Sequence, residues 1–322
     1  MNLLPFLEPI RAHVERVEQR LLRASDVEFP LLRAAVQNLL RAGGKRIRPA
    51  VAILASQFYE ADADKVISAA AAIEMLHTAT LVHDDMIDRA STRRGYPTLN
   101  SQWSGEATVL TGDYMFAVSA SLAAETDSVP VVQIFSRALM TICNGELRQL
   151  LADRRWPPTR EAYEKRIYSK TASLFAASAE VGAVLSAAPT DKVALIRSYG
   201  HNLGMAFQIV DDVLDYVGDP SELGKPVGSD LSQGIVTLPA LRYLEQAKSP
   251  EAEDLVKRAA TGEGSAVQDA VARIIASGAV NGALEEAAEY IRKSHAALDG
   301  LPACQSRDIL AQLADYVVAR RV

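Results

Sequence analysis

The chain has 322 residues, 49% of them hydrophobic, with a formal net charge of −6 and two cysteines. That length suits one large domain or two ordinary ones, with enough apolar residues for a sizeable core, and the acidic balance argues against a general nucleic-acid binder, which carries a basic excess. Cys143 and Cys304 lie far apart without ligand-like spacing and read as reduced core thiols, not as a disulfide framework.

In chain order, the N-terminal MNLLPFLEPIRAHVERVEQR lacks a basic stretch followed by a long apolar one, so a secretory signal is not expected. No apolar run reaches the roughly 18 residues of a membrane span, and the expected compartment is the cytoplasm. Apolar residues recur with helical spacing, predicting helices over 6–24, 31–41, 47–60, 64–89, 104–126, 129–153, 159–187 and 190–217. Further helices are predicted over 238–247, 250–260, 265–277, 280–297 and 302–320. Ser249 before Pro250, and Thr159 and Thr190, supply start signals. No stretch alternates like a strand for long, and none is distinct enough to be a linker. The reading is a single all-α domain over 1–322.

LVHDDMIDRASTRRG, 81–95, crowds three carboxylates and then two guanidiniums. On a helix Asp84 and Asp88 lie about 40° apart and Asp85 about 100° round. Taken alone, such a triplet is a solvated acidic turn. FQIVDDVLDYVGD, 207–219, repeats the spacing with Asp211, Asp212 and Asp215 behind an apolar run. Two such triplets suit opposed helices of a bundle. Carboxylates without accompanying histidine or cysteine favour a hard cation, and Mg²⁺ is the expected one. His83 has no zinc-like partner spacing and reads as structural. Arg93 and Arg94 suit a diphosphate bridged to the aspartates by Mg²⁺, because a guanidinium fork matches phosphate oxygens. GGKRIRP, 43–49, offers Lys45, Arg46 and Arg48 as a second anion pocket that needs no metal and is not a nucleotide P-loop.

With these motifs the chain resembles the trans-prenyltransferases, the polyprenyl or isoprenyl diphosphate synthases, over nearly its full length. GDYMFA (112–117), GELRQL (145–150), KTASLF (170–175) and GKPVGSDL (224–231) also match, in the family's order. The resemblance implies an all-α bundle around a deep central cavity, a homodimer, and head-to-tail condensation of isopentenyl diphosphate onto an allylic diphosphate such as farnesyl or geranyl diphosphate. It implies that Asp84, Asp88 and Asp211 hold three Mg²⁺, supported by Asp85, Asp212 and Asp215. Arg93, Lys170 and Lys225 match positions that grip the allylic diphosphate. Lys45, Arg48, His77 and Arg94 match those that hold isopentenyl diphosphate, and Thr171 and Gln208 match residues whose oxygens face the carbocation. No nucleic-acid partner is expected, and product release implies transient contact with a membrane.

One departure stands out. Where many members read GKxTLP, this chain has Ile235, and Arg242, Arg320 and Arg321 are the candidates to replace the missing cation. Short-product members place an aromatic four or five residues before the first aspartate. Here those positions are Thr80 and Ala79, followed on the next helix by small Ala123, with Phe135 as a candidate deeper floor. The expectation is a product of eight to ten isoprene units for quinone side chains. The alternatives are a farnesyl or geranylgeranyl synthase and a non-catalytic subunit of a heteromeric synthase. A terpene cyclase and a helical scaffold leave GGKRIRP or the paired triplets without a use.

Overall fold

The computed structural model describes residues 3–93, 95–151, 156–219 and 226–320. Helices dominate, as the 3.6-residue spacing of apolar positions predicts, and the backbone packs into two compact units built from discontinuous segments.

The first unit comprises Met1–Met140, Leu174–Gly200 and Ala297–Leu313. A 3₁₀ turn, Pro5–Ile10, leads into α1 (Arg11–Ala24), whose Val14, Val17 and Leu21 form one buried stripe. α2 (Pro30–Arg41) starts on a proline, where the missing N–H costs nothing. α3 (Ile47–Ser56) is buried at nearly every position. α4 (Ala63–Ile87) begins at Asp62, whose side chain accepts from the Asp64 and Lys65 amides, and packs against α1, α3 and α6 (Gly105–Ala124). It is buried on all sides from Val66 to Leu76. By length and mean hydropathy α4 could cross a membrane, contrary to the sequence expectation. The reason is its alanine-rich middle, and 78% of that apolar window is buried inside the protein. A helix hydrophobic all round belongs in a core.

Arg46 ties the first unit together. It caps α3 with left-handed backbone (φ 51°), is buried, and donates from Nη1 to Glu74 Oε1 on α4 at 2.8 Å. Its Nη2 donates to the Leu40 carbonyl of α2 at 2.6 Å, and its Nε lies 3.4 Å from Glu18 of α1. Gly43 makes room for it: a Cβ there would sit 2.2 Å from the guanidinium. α9 (Ser173–Leu185) approaches α3 so closely that a Cβ on Gly182 would lie 2.2 Å from the Ala52 carbonyl.

The second unit comprises Thr141–Ser173, His201–Ala296 and Ala314–Val322. α8 (Arg160–Ile167) is capped by the Thr159 hydroxyl, which accepts from the Ala162 amide. The single helix expected over 159–187 is interrupted by a π-helical turn, Tyr168–Ala172. The extra residue it admits is invisible to a 3.6-residue pattern. The distal half of α10 (Thr190–Val217) follows, with Ile209, Val210, Val213 and Tyr216 buried. Beyond a short helical turn, Ser229–Ser232, come Leu238–Ala247, Pro250–Ala259, Gly264–Ala276 and Ala279–Asp299. Ser249 caps Pro250–Ala259 by accepting from the Ala252 amide, as its sequence signal indicated. Arg160 binds Glu245 and Glu286, and Arg242 also binds Glu286.

Three features were not expected. A two-stranded hairpin pairs Thr92–Arg93 with Tyr96–Pro97, and a short helix, α5, spans Leu99–Gln102. The cysteines are free but not core thiols: Cys143 is exposed and Cys304 half-buried. Cys143 stands about 100° round its helix from buried Ile142, which puts it on the outer side.

Candidate functional site

The first triplet occupies the last turn of α4. Asp88 ends that helix, Arg89 follows with φ 51°, and the Ala90 amide donates to the Asp85 carbonyl at 2.9 Å. The C-terminal end of a helix is the negative end of its dipole, so carboxylates there are unfavourable unless a cation compensates. The side chains then divide by direction. His77, Thr80 and Asp84 are half-buried and Asp88 is exposed, all on one stripe of α4. Asp85 is buried about 100° away, and Arg93 Nε on the hairpin donates to its Oδ1 at 2.7 Å. Burial raises the Asp85 carboxyl, and the Arg93 charge opposes that rise. Arg93 is therefore the internal counterion of a triplet member. Arg94 lies outside the described residues.

His83 is held structurally: Nδ1 lies 3.1 Å from the Ala79 carbonyl, Nε2 3.3 Å from Asp113 Oδ1, and the ring stacks on Phe116 at 4.9 Å. Within GGKRIRP the three basic residues separate. Arg46 points into the core, so it is not part of an anion pocket; its charge is committed to buried Glu74. Lys45 is exposed. Arg48 lies over the Phe175 ring, 4.6 Å from its centroid, which links GGKRIRP to KTASLF. Among the length-determining candidates, Ala79, Ala123 and Phe135 are buried, whereas Thr80 is partly exposed and donates to the His77 carbonyl at 2.7 Å.

The second triplet repeats the placement, in the last two turns of α10. Arg320 Nη1 donates to Asp211 Oδ1 at 2.8 Å and its Nη2 to the Phe207 carbonyl at 3.1 Å, with the guanidinium 4.0 Å over the Phe207 ring. Of the candidates to replace the cation missing at Ile235, Arg320 is the one at this triplet. Arg242 is engaged with Glu286, and Arg321 lies outside the described residues. Asp215 is fully buried, and its Oδ2 accepts from the Asp230 amide at 3.1 Å while its carbonyl accepts from the Gly228 amide at 2.7 Å. It thus anchors the 226–230 segment. Lys225, in the same motif, lies outside the described residues.

Lys170 Nζ is 3.4 Å from Glu146 Oε1, joining KTASLF to GELRQL. The neighbouring Thr171 begins a chain of hydrogen bonds that runs through a half-buried glutamine to a buried carboxylate. Its hydroxyl donates to Gln208 Oε1 at 2.6 Å, Gln208 Nε2 donates to Asp212 Oδ1 at 2.8 Å, and the Tyr163 hydroxyl donates to Asp212 Oδ2 at 2.8 Å. Burial pushes Asp212 up to about 7, against the lowering influence of Arg166 and its two donors. Sequence reasoning missed Tyr163 and Glu146. Neither carries a spacing that marks a contact so far along the chain.

Among the described residues no three His, Cys, Asp or Glu side chains converge as a metal cage. Mg²⁺ does not need one, since it is typically held by one or two carboxylates and completes its shell with water and phosphate oxygens. Asp84 and Asp88, all-oxygen and one turn apart on an accessible stripe, suit that role.

Residues 29–276 match the polyprenyl synthetase family model. The chain belongs to that family. It is 40% identical over 305 residues, 94% of each chain, to heptaprenyl diphosphate synthase component 2 of Geobacillus stearothermophilus. It is 32% identical to a short chain isoprenyl diphosphate synthase of Methanothermobacter thermautotrophicus, over 99% of each chain. The fold matches a polyprenyl synthase from Caulobacter crescentus complexed with calcium and isoprenyl diphosphate, with TM-score 0.93, 37% identity, and 98% of this chain and 97% of that one covered. The chain is therefore a prenyltransferase of all-α fold. Its relatives make both short and long products.

Proposed function

We propose that the chain is a long-chain trans-polyprenyl diphosphate synthase that adds isopentenyl diphosphate to an allylic diphosphate to give a product of eight to ten isoprene units. The observation that carries this reading is the stripe of α4 ahead of Asp84. The residue one turn before it is Thr80, small and partly exposed, where an aromatic would stop a growing chain.

Mg²⁺, three per site, would be held by Asp84, Asp88 and Asp211, and supplies positive charge that stabilises diphosphate as it leaves. Asp85 and Asp215 act behind these ligands, holding the hairpin and the 226–230 segment. Lys170, Arg93 and Lys225 grip the allylic diphosphate; Lys45, Arg48, His77 and Arg94 hold isopentenyl diphosphate. Thr171 and Gln208 turn oxygen lone pairs toward the allylic cation. Buried apolar side chains exclude water that would quench it. Exposed Leu110 of α6 and Val129 and Met140 of α7 (Val129–Leu151) suit burial against a second copy in a homodimer. The enzyme acts in the cytoplasm, touches a membrane to release its lipid, and serves quinone side chains.

A second reading is favoured by the Geobacillus relative, whose name makes it one component of a synthase: the chain then works with a partner subunit. The purified chain, incubated with Mg²⁺, labelled isopentenyl diphosphate and farnesyl diphosphate, separates the two. Extractable products of about C40–C50 support the first reading. Product that forms only when a partner chain is added supports the second, and C15 or C20 products overturn the long-chain assignment.

A further inference from the structure

A glutamine amide has two ends of nearly equal shape and opposite polarity. Only its oxygen can face a cation, so something must keep the NH₂ turned away. In the chain Thr171–Gln208–Asp212–Tyr163 that constraint is visible. Gln208 and Asp212 are one turn apart on α10, and Gln208 Nε2 donates to Asp212 Oδ1 at 2.8 Å. Both Asp212 oxygens accept in this arrangement, Oδ1 from Gln208 and Oδ2 from the Tyr163 hydroxyl, so the NH₂ end of Gln208 is held there. The other end, Oε1, receives the Thr171 hydroxyl proton at 2.6 Å. With that proton committed, the remaining lone pairs of Thr171 Oγ1 and Gln208 Oε1 are acceptors. Thr171 owes its place to the π-helical turn, a distortion that recurs at functional sites.

What aims the carboxylate is Tyr163. Its hydroxyl donates to Asp212 Oδ2 at 2.8 Å from the buried side of α8, and its ring lies beneath the Arg166 guanidinium at 5.4 Å. Arg166 is itself fixed, donating from Nη2 to the Val236 carbonyl at 3.1 Å. A polar hydroxyl in so buried a position needs a partner, and it finds the one oxygen of Asp212 that Gln208 leaves open. We propose that Tyr163 is a positioning residue for chain elongation: by holding Asp212 it locks the Gln208 amide with oxygen outward, so that the network ends in lone pairs for the allylic cation. This rests on the proposed synthase function and adds to it a residue remote from either aspartate triplet in sequence.

The test uses the full-length enzyme and its Tyr163→Phe variant with Mg²⁺, labelled isopentenyl diphosphate and farnesyl diphosphate. We expect kcat to fall about tenfold, the order set by one buried hydrogen bond, while KM for both substrates stays within twofold. In a Gln208→Ala background Tyr163→Phe should cause no further loss, because both changes remove the same oriented amide. Binding of Mg²⁺ with inorganic diphosphate, followed by calorimetry, should be the same as in wild type. An unimpaired Tyr163→Phe enzyme, or losses that multiply fully in the double variant, overturns the positioning role while leaving the synthase reading intact. A wild-type chain that makes no product with any allylic primer overturns both. If Tyr163→Phe does not fold, Asp212→Asn replaces it: the amide can donate to Gln208 and release its orientation, so the same kcat loss is expected, and wild-type turnover refutes the proposal.

Discussion

At the scale of single residues, the second basic motif divides between a buried Arg46 and an exposed Lys45. Arg46 and Glu74 are both buried, and each is the other's charge partner at 2.8 Å. Removing one partner of such a pair strands a buried charge, typically at about 3–5 kcal/mol. Glu74→Ala should therefore lower the stability of the chain by that order in urea unfolding, whereas Lys45→Ala, at an exposed position, should change it by less than about 0.5 kcal/mol. Equal effects would show that Arg46 is not the internal anchor. Asp212 gives a pH prediction. Its carboxyl is raised from an ordinary 3.8 to about 7 by burial, so the folded protein binds that proton more tightly than the unfolded chain does. The group's contribution to stability is full below about pH 4 and is lost as pH rises through 7. In metal-free buffer, the stability of wild type relative to Asp212→Asn should fall between pH 5 and pH 8, measured by urea midpoints. A constant difference would show that Asp212 ionises normally.

At the scale of elements, the sequence carried the helices because their apolar spacing is periodic, and it carried both triplets because their spacing puts charges on one helical face. It put Asp85 about 100° round from Asp84, but it could not show that Asp85 lies buried under Arg93, since that depends on a hairpin with no strand-like alternation. Nor could it show the π-helical turn at Thr171, whose extra residue breaks the 3.6-residue pattern, or which of the candidate cations returns to Asp211, because Arg320 reaches it from a segment distant in the chain. Close helix approach is another such feature. Gly182 of α9 faces the Ala52 carbonyl of α3, and a Cβ there would come within 2.2 Å of a backbone atom that cannot rotate away. Gly182→Ala should thus destabilise the protein by about 1–3 kcal/mol, despite alanine's better helix propensity. A neutral or stabilising result in thermal unfolding would mean the two helices separate at little expense.

At the scale of the whole molecule, product length is the open variable: one relative is a short chain isoprenyl diphosphate synthase and another a component of a heptaprenyl diphosphate synthase. The sequence offered Ala79 and Thr80 together as the missing floor. Their surroundings separate them: Ala79 has no exposed surface, whereas Thr80 is partly exposed, four residues before Asp84 on the same stripe. One helical turn rises about 5.4 Å, close to the length of one isoprene unit. An aromatic at Thr80 therefore stands about one unit beyond Asp84, the carboxylate proposed to hold Mg²⁺, where it would meet the tail of the allylic substrate as it lengthens. Thr80→Tyr should shift the products from long chains to C15–C20, with the first condensation on geranyl diphosphate slowed by less than about threefold because the diphosphate contacts are untouched. Ala79→Tyr should instead act mainly on folding, since a large ring forced into a filled site costs about 1–3 kcal/mol or more. Chromatography of the dephosphorylated products from the two variants separates these effects. Long chains from Thr80→Tyr, or a clean shortening by stably folded Ala79→Tyr alone, would move the elongation path to the Ala79 side of α4.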